Sequence, residues 1–373
     1  MSVPVLVDAT SIPENRGGVA RYITGLLQGL DQSGSPVTVV VKSADREWLR
    51  TTAPSHRYLD APSTTVSRPG RLVWEQLGLP LLARRLGVAL VHSPHYTFPL
   101  LWARRSVVTL HDATFFSDPA AHGRVKRSFF RTWTRLARLL AFRTVAPSAA
   151  TADEIERFVR RGHRTAVAHL GVDRGVFHVP SEGDVERFRS AHGIPEGERW
   201  IAFLGTVEPR KSVPALVEAH ARLSSARGDV APLLVTGGLG WDDKATALLR
   251  AAGDVPGSSL RHLGYLPLEE LAAFLGGSDV VVYPSTGEGF GLPVLEAMAC
   301  GGTVLTTRRL ALPEVAGDAA AYAEPDADSL ERALGDLLDD PRERSRLASA
   351  GTRRAAEFTW RACADAHRAV WAS

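Results

Sequence analysis

The chain has 373 residues, of which 45% are hydrophobic and 23% charged, as in an ordinary globular protein. This length predicts two domains, and the composition excludes a disordered, collagen-like or coiled-coil protein. No apolar run approaches the roughly 18 residues of a membrane span, and the N-terminus does not resemble a signal peptide. The two cysteines, Cys300 and Cys363, are too few for a disulfide framework or a metal cluster, which predicts a cytoplasmic protein.

Charge is distributed unevenly along the chain. Residues 1–190 contain 26 Lys and Arg against 16 Asp and Glu, a net charge of +10, and residues 191–373 contain 18 against 25, a net charge of −7. Such an asymmetry predicts two domains with different partners. The basic half could face an anionic substrate, a membrane or nucleic acid.

The first half alternates short β-branched segments with longer helical ones. Strands are predicted at Val3–Val7, Val37–Val41, Val88–His92 and Val107–Leu110. Helices are predicted between them at Val19–Leu30 and Leu72–Leu86. This alternation is typical of parallel βαβ units.

The second half repeats the pattern. Strands are predicted at Trp200–Leu204, Pro232–Val235, Asp279–Tyr283 and Thr303–Thr306, and helices at Val213–Leu223, Leu268–Leu275, Leu292–Ala299 and Ser329–Leu338. We therefore predict two doubly wound α/β domains, residues 1–185 and 186–355, with a polar linker near residues 180–198. Residues 356–373 should form a C-terminal helix that packs back on the N-terminal domain, because its two tryptophans need a buried surface.

The strongest motif, Tyr283–Gly301, reads as a strand, a glycine-rich loop and a short helix. Its glycines let the backbone approach a ligand closely. The first amides of the helix would then face an anion; they belong to Phe290, Gly291 and Leu292. Two carboxylates beside an anion site, Glu288 and Glu296, would suit sugar hydroxyls. The alternative is a plain strand-to-helix turn with two surface glutamates.

A second motif delivers two cations to the start of a helix. The apolar strand that ends at Gly205 is followed by a short loop carrying Arg210 and Lys211. Cations are unfavourable at a helix N-terminus, so this pair indicates an anionic ligand such as a diphosphate. A solvated basic pair is the alternative.

Further candidates follow strands of the first half. Gly17 and Gly18 open a helix and could hold phosphate, or form only a tight turn. His111 follows a strand at the edge where α/β sheets place ligands, and it could bind a sugar hydroxyl, transfer a proton or be structural. The end of the preceding strand and the residues just after it could line an acceptor site: His92, His95 and Tyr96. The sequence contains no metal-binding spacing, GxGxxG fingerprint, P-loop or nucleophile elbow.

The segment Arg124–Arg143 carries seven basic residues and no acidic one. Aromatic and aliphatic residues interleave with them at helical spacing. A basic amphipathic helix of this kind can lie on anionic lipid. The alternative is an ordinary helix with a solvated basic face.

Together these motifs resemble those of glycosyltransferase family 4, retaining enzymes of the GT-B fold that use nucleotide sugars. Glu288 and Glu296, with seven residues between them, resemble the E-x7-E signature of the family. The segment GTVEPRKS at 205–212 resembles its basic diphosphate motif. Thr206 and Ser212 depart from the arginine and asparagine that many members carry.

The resemblance extends along essentially the whole chain. Similar motifs occur at 109–112 (TLHD), 145–155 (VAPSAATADEI) and 170–177 (LGVDRGVF). Residues 18–22 (GVARY) and 74–80 (WEQLGLP) resemble the mannosyltransferase-like subgroup.

The resemblance implies a role for each matching residue. Arg210 and Lys211 would bind the donor diphosphate and stabilise the leaving nucleotide, and Glu296 would bind the ribose. His111 would contact the hydroxyls of the donor sugar, and the backbone at Leu266 would receive the base. Further donor contacts are expected at Gly17, Gly18, Glu288, Gly289, Phe290, Gly291 and Leu292. The expected catalytic residues are His111, Glu288, Arg210 and Lys211.

The resemblance predicts a retaining hexosyltransferase with two Rossmann-like domains facing a central cleft. It would move a sugar, with mannose favoured, from a nucleotide-diphosphate sugar to a glycan or lipid-linked acceptor. A GDP-sugar is the favoured donor and a UDP- or dTDP-sugar the alternative, with no metal cofactor because fixed cations stabilise the leaving group. We expect a cytoplasmic enzyme with peripheral contact to the inner face of an anionic membrane and no nucleic-acid partner. The alternatives are a sugar-nucleotide epimerase or a phosphorylase on the same fold, or a non-enzymatic two-lobed sugar-binding protein.

Overall fold

The computed structural model describes residues 3–14, 16–119, 122–253, 255 and 257–373. These residues form two compact units. Unit 1 runs to Gly171 and also includes Phe358–Ser373, and unit 2 comprises Val172–Glu357. Each unit contains one parallel β-sheet whose strands are connected through helices. The prediction of two parallel-sheet α/β domains is confirmed.

Seven strands of four residues or fewer form the sheet of unit 1 among the described residues: β1 (Val5–Asp8), β2 (Thr38–Val41), β3 (Arg57–Asp60), β4 (Leu90–Ser93), β5 (Ser106–Thr109), β6 (Arg143–Ala146) and β7 (Ala166–Val167). They pair in parallel in the order β3–β2–β1–β4–β5–β6–β7. The connecting helices are α1 (Gly18–Gln32), α2 (Ser43–Thr52), α3 (Arg68–Leu86), α4 (Thr114–Ser117), α5 (Arg124–Leu140) and α6 (Ala149–Phe158). The central strands β1, β4 and β5 are buried along their length because both faces of a parallel sheet are covered.

Unit 2 has six described strands: β8 (Ile201–Leu204), β9 (Leu233–Thr236), β10 (Leu260–Gly264), β11 (Val280–Tyr283), β12 (Val304–Thr306) and β13 (Ala321–Tyr322). They are also parallel and follow the order β10–β9–β8–β11–β12–β13. Its helices are α7 (Glu182–Ala191), α8 (Val213–Arg227), α9 (Asp243–Gly253), α10 (Leu271–Gly276), α11 (Leu292–Ala299), α12 (Leu312–Ala316), α13 (Ala327–Asp339) and α14 (Pro341–Ala355).

The boundary between the units differs from the expected linker near residues 180–198, because that stretch contains α7. The helix begins with a capping box, in which Ser181 and Asp184 each bond the backbone of the other. Val185 and Phe188 are buried, and the ring of Phe188 lies 5.1 Å from that of Trp200. The polar composition of the stretch therefore belongs to an amphipathic surface helix of unit 2.

The last helix, α15 (Trp360–Trp371), belongs to unit 1 and packs on α1. Two glycines of α1 allow this close approach. A Cβ atom at Gly25 would lie 2.1 Å from the ring of Trp360, and one at Gly29 would lie 2.0 Å from its carbonyl oxygen. Trp360 and Trp371 are both buried as a result.

The order of strands reverses once in each sheet, between β1 and β4 in unit 1 and between β8 and β11 in unit 2. At such a point the connections leave neighbouring strands in opposite directions and open a crevice at their carboxyl ends. We therefore expect ligand-binding residues directly after these strands.

Candidate active site

The loops after β8 and β11 meet at the switch point of unit 2. The first loop turns at Gly205, and residues Pro209–Lys211 then form a short 3-10 helix that ends at Ser212. The carbonyl oxygen of Arg210 accepts a hydrogen bond from the amide of Thr286 at 2.7 Å. Backbone bonding thus holds the two loops side by side.

The guanidinium of Arg210 lies between two carboxylates. Its Nη1 is 2.6 Å from Oε2 of Glu288, and its Nη2 is 2.5 Å from Oε1 of Glu208. Nη1 also donates to the carbonyl oxygen of Gly287 at 3.0 Å. Because the side chain is still 24% exposed, it is a fixed cation that a ligand can reach.

Lys211 is buried against the other oxygen of the same carboxylate. Its Nζ donates to Oε1 of Glu288 and to the hydroxyl of Tyr283, and it lies 4.4 Å from the centre of the Tyr283 ring. Oε1 of Glu288 also accepts from the Tyr283 hydroxyl at 3.0 Å and from Oγ of Ser285 at 2.7 Å. Both oxygens of Glu288 are therefore engaged by donors.

These contacts determine the protonation states in the cluster. Burial alone would raise the pKa of Glu288, but the charges of Arg210 and Lys211 outweigh it and hold this pKa well below its usual range. Burial and the neighbouring Arg210 lower the pKa of Lys211, while Glu288 opposes that shift. Glu288 is thus ionised at neutral pH, and it serves as a counter-ion that positions both cations.

The glycine-rich loop ends at α11. Gly291 caps this helix with a φ of +99°, a left-handed conformation that glycine adopts without strain. The segment 289–292 therefore leads into a helix N-terminus, whose amides and dipole attract anions. Phe290 and Glu296 are both buried, the latter in the second turn of the helix. One strand–loop–helix segment thus carries all the donor-binding residues predicted between Glu288 and Glu296.

Close backbone packing shapes the edge beside β8. A Cβ atom at Gly237 would lie 2.2 Å from the carbonyl oxygen of Gly205. The amide of Gly237 also donates to the carbonyl oxygen of Gly264 at 2.7 Å, which joins the ends of β9 and β10. Leu266 follows on the same edge and is half-buried, in the place where a base contact is predicted.

In unit 1, a buried network surrounds His92. Nε1 of Trp371 donates to Nδ1 of His92 at 3.2 Å, and Nε2 of His92 lies 3.3 Å from the hydroxyl of Tyr22. That hydroxyl is also 2.8 Å from Nε2 of His367 and 2.8 Å from Oγ1 of Thr109. His92 was expected on the acceptor side, but it is fully buried and both of its ring nitrogens have partners. It therefore links the sheet to α1 and α15.

His111, His95 and Tyr96 form a second group in unit 1. Nε2 of the half-buried His111 donates to the carbonyl oxygen of Pro94 at 2.7 Å, and its ring lies 5.7 Å from that of His95. Burial lowers the pKa of both histidines, so both are neutral at pH 7. Tyr96 is buried, with its hydroxyl bonded to the backbone of Asp112. This contradicts its expected acceptor-facing position, because its polar atom is already bonded within the fold.

The N-terminus of α1 is open. Gly17 caps this helix and Gly18 is its first residue. Gly18 is exposed, and a Cβ atom there would have no neighbour within 4 Å. Both glycines thus lie at the surface of unit 1, and the phosphate contact expected of them stays a prediction.

A cavity of about 1320 Å³ lies at the carboxyl edge of the unit 1 sheet. The cations that line it are Lys42, Arg68, Arg71 and Lys126. The guanidinium of Arg71 is held by Oε2 of Glu75 at 2.8 Å and by Oγ1 of Thr97 at 2.9 Å. Burial raises the pKa of Glu75 to about 7, against the charge of Arg71.

Helix α5 directs several of its basic side chains into unit 1. Three of them donate to backbone carbonyl oxygens at distances between 2.6 and 3.2 Å: Arg127, Arg131 and Arg138. Arg138 is buried as well, because a long side chain can bring its charged end to carbonyl groups of the core. Three of the seven basic side chains are thus bonded within unit 1, whereas Arg124, Lys126 and Arg135 remain exposed. No helix in the described part of the chain is both long and apolar enough to cross a bilayer.

Three members of the unit 2 cluster were absent from the predicted site residues: Glu208, Tyr283 and Ser285. Glu208 holds Arg210, and the other two hold Glu288. Polar residues at the carboxyl end of a buried strand are the signal that could have revealed Tyr283 and Ser285. Across the described ranges, no three His, Cys, Asp or Glu side chains are grouped so as to hold a metal ion.

Two parallel-sheet units, with paired cations and a carboxylate at the switch point of the second, are the arrangement expected of a glycosyltransferase of the GT-B class. A family model described as "Glycosyltransferase Family 4" matches residues 16–176, and one described as "Glycosyl transferases group 1" matches residues 184–354. The chain belongs to glycosyltransferase family 4, in its mannosyltransferase-like subgroup, and it is a hexosyltransferase.

Curated relatives support this assignment. The chain is 30% identical over 277 residues to O-antigen chain mannosyltransferase B of Escherichia coli, covering 73% of this chain and 71% of that protein. It is 35% identical over 311 residues to an MMP alpha-(1->4)-mannosyltransferase of Mycolicibacterium hassiacum, covering 81% of this chain and 67% of that protein.

Solved structures show the same fold. HepE of Anabaena in complex with UDP-glucose superposes with a TM-score of 0.76 at 17% identity, over 98% of each chain. WaaG, a glycosyltransferase involved in lipopolysaccharide biosynthesis, superposes with a TM-score of 0.73 at 17% identity, also over 98% of each chain.

Proposed function

We propose that this glycosyltransferase transfers mannose, with retention of configuration, from GDP-mannose to a hydroxyl of a glycan or lipid-linked acceptor. The observation that carries the proposal is the cluster of Arg210 and Lys211 on Glu288 at the switch point of unit 2. Two mannosyltransferases among the relatives favour mannose. A structural neighbour that binds UDP-glucose keeps a UDP-sugar, and with it a dTDP-sugar, as the alternative donor.

The cluster suits a nucleoside diphosphate leaving group. Negative charge grows on the diphosphate as the glycosidic bond breaks, and preorganised donors stabilise such charge most effectively. Arg210 is the accessible cation of the cluster, and the N-terminus of α11 adds amides and a favourable dipole. Lys211 lies deeper, where it keeps Glu288 ionised and the loop in place.

Retention is proposed to occur without a covalent glycosyl-enzyme intermediate. Glu288 is a poor nucleophile here, because four side chains donate to its oxygens: Arg210, Lys211, Tyr283 and Ser285. The acceptor hydroxyl would then attack from the face that the diphosphate leaves. The departing phosphate oxygen would take the proton of that hydroxyl, and no separate base is needed.

The remaining donor contacts are part of the proposal. Glu296 would bind the ribose and Leu266 would receive the base. His111 would contact the donor sugar, and its neutral ring suits a hydrogen bond with a hydroxyl. The open amides at Gly17 and Gly18 would contact the diphosphate.

The decisive experiment follows a labelled sugar. With GDP-mannose labelled in mannose and a glycan acceptor, we expect label in a longer glycan with the anomeric configuration of the donor, as read by NMR. An inverted product would overturn the retaining mechanism. Isomerised donor, or unchanged donor, would instead favour the epimerase or the binding protein. Glu288→Gln is the matched low-activity control.

The base of the donor is tested by ligand-induced stabilisation. A ligand that binds only the folded state raises its stability by mass action. We expect GDP to raise Tm more than UDP or dTDP at equal concentration. A larger shift with UDP or dTDP would reassign the donor.

We also propose a cytoplasmic enzyme that touches the inner face of an anionic membrane. Both cysteines are free and buried, as suits a reducing compartment. A lipid-linked acceptor would place its reactive hydroxyl near the membrane surface.

A further inference from the structure

Helix α3 of unit 1 exposes aliphatic side chains along one face. Val73 is 60% exposed, and Leu77 and Leu81 are each 58% exposed. Residues four apart lie above one another on a helix, so these three form a continuous stripe. Exposed apolar stripes of this kind mark interaction surfaces in soluble proteins.

The segment Leu100–Arg105 packs beside α3. Gln76 joins the two elements: its Nε2 donates to the carbonyl oxygen of Phe98 at 3.0 Å, and its Oε1 accepts from the amide of Leu100 at 2.9 Å. Leu101 is 74% exposed on this segment. We call the surface formed by Val73, Leu77, Leu81 and Leu101 the α3 face.

The opposite side of α3 packs against the core of unit 1, so the exposed stripe is not simply the core-facing side of the helix left uncovered. Leu79 and Ala83 are fully buried there, and Trp74, Leu82 and Leu86 pack against the same cluster. The helix is therefore apolar on two sides, and only one of them is covered within unit 1. The uncovered side therefore offers an apolar surface to a partner outside unit 1.

Positive charge surrounds the α3 face. Arg84 and Arg85 lie in the last turn of α3, and Arg104 and Arg105 end the neighbouring segment. Between Asp60 and Asp112 the chain has a single acidic residue, Glu75. Because Glu75 is buried and paired with Arg71, it does not offset the charge at the surface.

We propose that the α3 face is the surface by which unit 1 docks on an anionic lipid bilayer. The aliphatic side chains enter the boundary between headgroups and acyl chains, and the arginines contact lipid phosphates. This deepens the membrane contact of the proposed function and rests on it. It assigns that contact to α3 and Leu100–Arg105 rather than to α5, three of whose arginines bond backbone carbonyl oxygens of unit 1.

A second copy of the chain fits this surface less well. A symmetric dimer would bring the same patch of each copy together. Such a dimer would cover the apolar stripe, but residues 73–105 offer no exposed carboxylate to the four arginines, because their one acidic residue, Glu75, is buried. An anionic bilayer satisfies both the apolar stripe and the charge.

The test is co-sedimentation of the whole chain with vesicles. Vesicles of phosphatidylglycerol and phosphatidylcholine should bind the protein at low salt, and vesicles of phosphatidylcholine alone should bind it much less. Leu77→Ser combined with Leu101→Ser should weaken binding by about 10-fold or more, because two aliphatic side chains lose their apolar environment. Arg84→Gln combined with Arg104→Gln should weaken binding and reduce its dependence on salt.

Leu139→Ser is the matched control, since Leu139 is an exposed leucine on α5; we expect unchanged binding. Equal losses for Leu139→Ser and the α3-face variant would overturn the assignment to α3. No binding to anionic vesicles would overturn the proposal. The proposal would also be overturned if light scattering showed that the wild-type protein is a dimer and that Leu77→Ser dissociates it.

Donor use separates this proposal from the proposed function. The α3-face variants should keep the GDP-induced rise in Tm and the turnover of a water-soluble acceptor, because none of the changed residues belongs to the unit 2 cluster. Wild-type vesicle binding without sugar transfer would remove the proposed function and leave the docking surface. Sugar transfer without vesicle binding would remove the docking surface and leave the proposed transferase function.

Discussion

Arg210 and Glu288 form an ion pair between two loops, with Nη1 of the arginine 2.6 Å from Oε2 of the glutamate. The pair exists because β8 and β11 are adjacent and parallel, so the loops that follow them emerge side by side. Lys211 shares the same carboxylate. The result is a fixed group of charges whose accessible member is Arg210.

Replacing Arg210 should reduce catalysis more than stability. We expect Arg210→Ala to lower kcat/KM about 100- to 1000-fold, or about 2.7–4 kcal/mol, as when one preorganised donor is removed from an anion site. Arg222→Ala is the control, because Arg222 also pairs with carboxylates but is exposed on α8. Near-normal kcat/KM in folded Arg210→Ala protein would contradict the assignment. Lys211→Ala should lower both kcat/KM and the melting temperature Tm, because Lys211 is buried.

The pH dependence of stability should reveal the low pKa of Glu288. Its folded-state pKa lies below the ordinary value of 4.5, so its contribution to stability is present above that value and is lost as pH falls towards the folded-state pKa. We expect wild type to exceed Glu288→Gln in free energy of unfolding at pH 6, with the difference shrinking below about pH 4.5. Urea unfolding at several pH values measures this. A difference that is constant with pH would refute the proposed pairing.

Activity should persist when divalent metal ions are chelated. The positive charge of Arg210 and the amides at the start of α11 are part of the protein, so the leaving diphosphate has stabilising groups without an added ion. Turnover should change little between buffer with EDTA and buffer with Mg²⁺ or Mn²⁺. Complete loss in EDTA, restored by either ion, would show that the fixed cations are insufficient.

His367 should make unit 1 sensitive to mild acid. Burial lowers the pKa of His367 to about 4 from an ordinary value of 6.5, and its Nδ1–H donates to the carbonyl oxygen of Cys363 at 2.8 Å. Its Nε2 therefore accepts from the hydroxyl of Tyr22 in the neutral form. Because its folded-state pKa lies below its unfolded-state pKa, neutral His367 stabilises the fold above about pH 6.5. This contribution is lost as the pH falls from about 6.5 to about 4.

The expected loss from this one group is about 3 kcal/mol across that range. Thermal or urea unfolding should therefore show a shallower decline with acidification for His367→Gln than for wild type. Identical slopes would mean that His367 is not held neutral by the fold.

Local sequence was sufficient for the main elements of the fold. The apolar segments that end at Gly205 and Tyr283 are strands, and Leu292–Ala299 is a helix as predicted. The polar stretch at residues 180–198 was misread, because a capped helix with two buried apolar residues has nearly the composition of a loop. Such a helix is recognisable only from the surface on which it packs.

The site could be predicted in part. Arg210 and Glu288 were singled out by their motifs, whereas Glu208 and Ser285 became evident only through their contacts in the structure. His92 lies near the carboxyl end of β4, where ligand-binding residues are common, yet Trp371 covers it. No local pattern could show this, because the two residues are far apart in the chain.

The sequence by itself determined that the chain has two parallel α/β sheets, and which loops carry cations, carboxylates and glycines, because hydrophobic period and strand-end chemistry are local properties. The tertiary structure alone decided that Arg210 meets Glu288, that Arg138 of α5 is buried, and that α3 keeps an uncovered apolar stripe. Strand order and helix packing join residues distant in the chain, and burial of a side chain depends on those partners more than on its own neighbours.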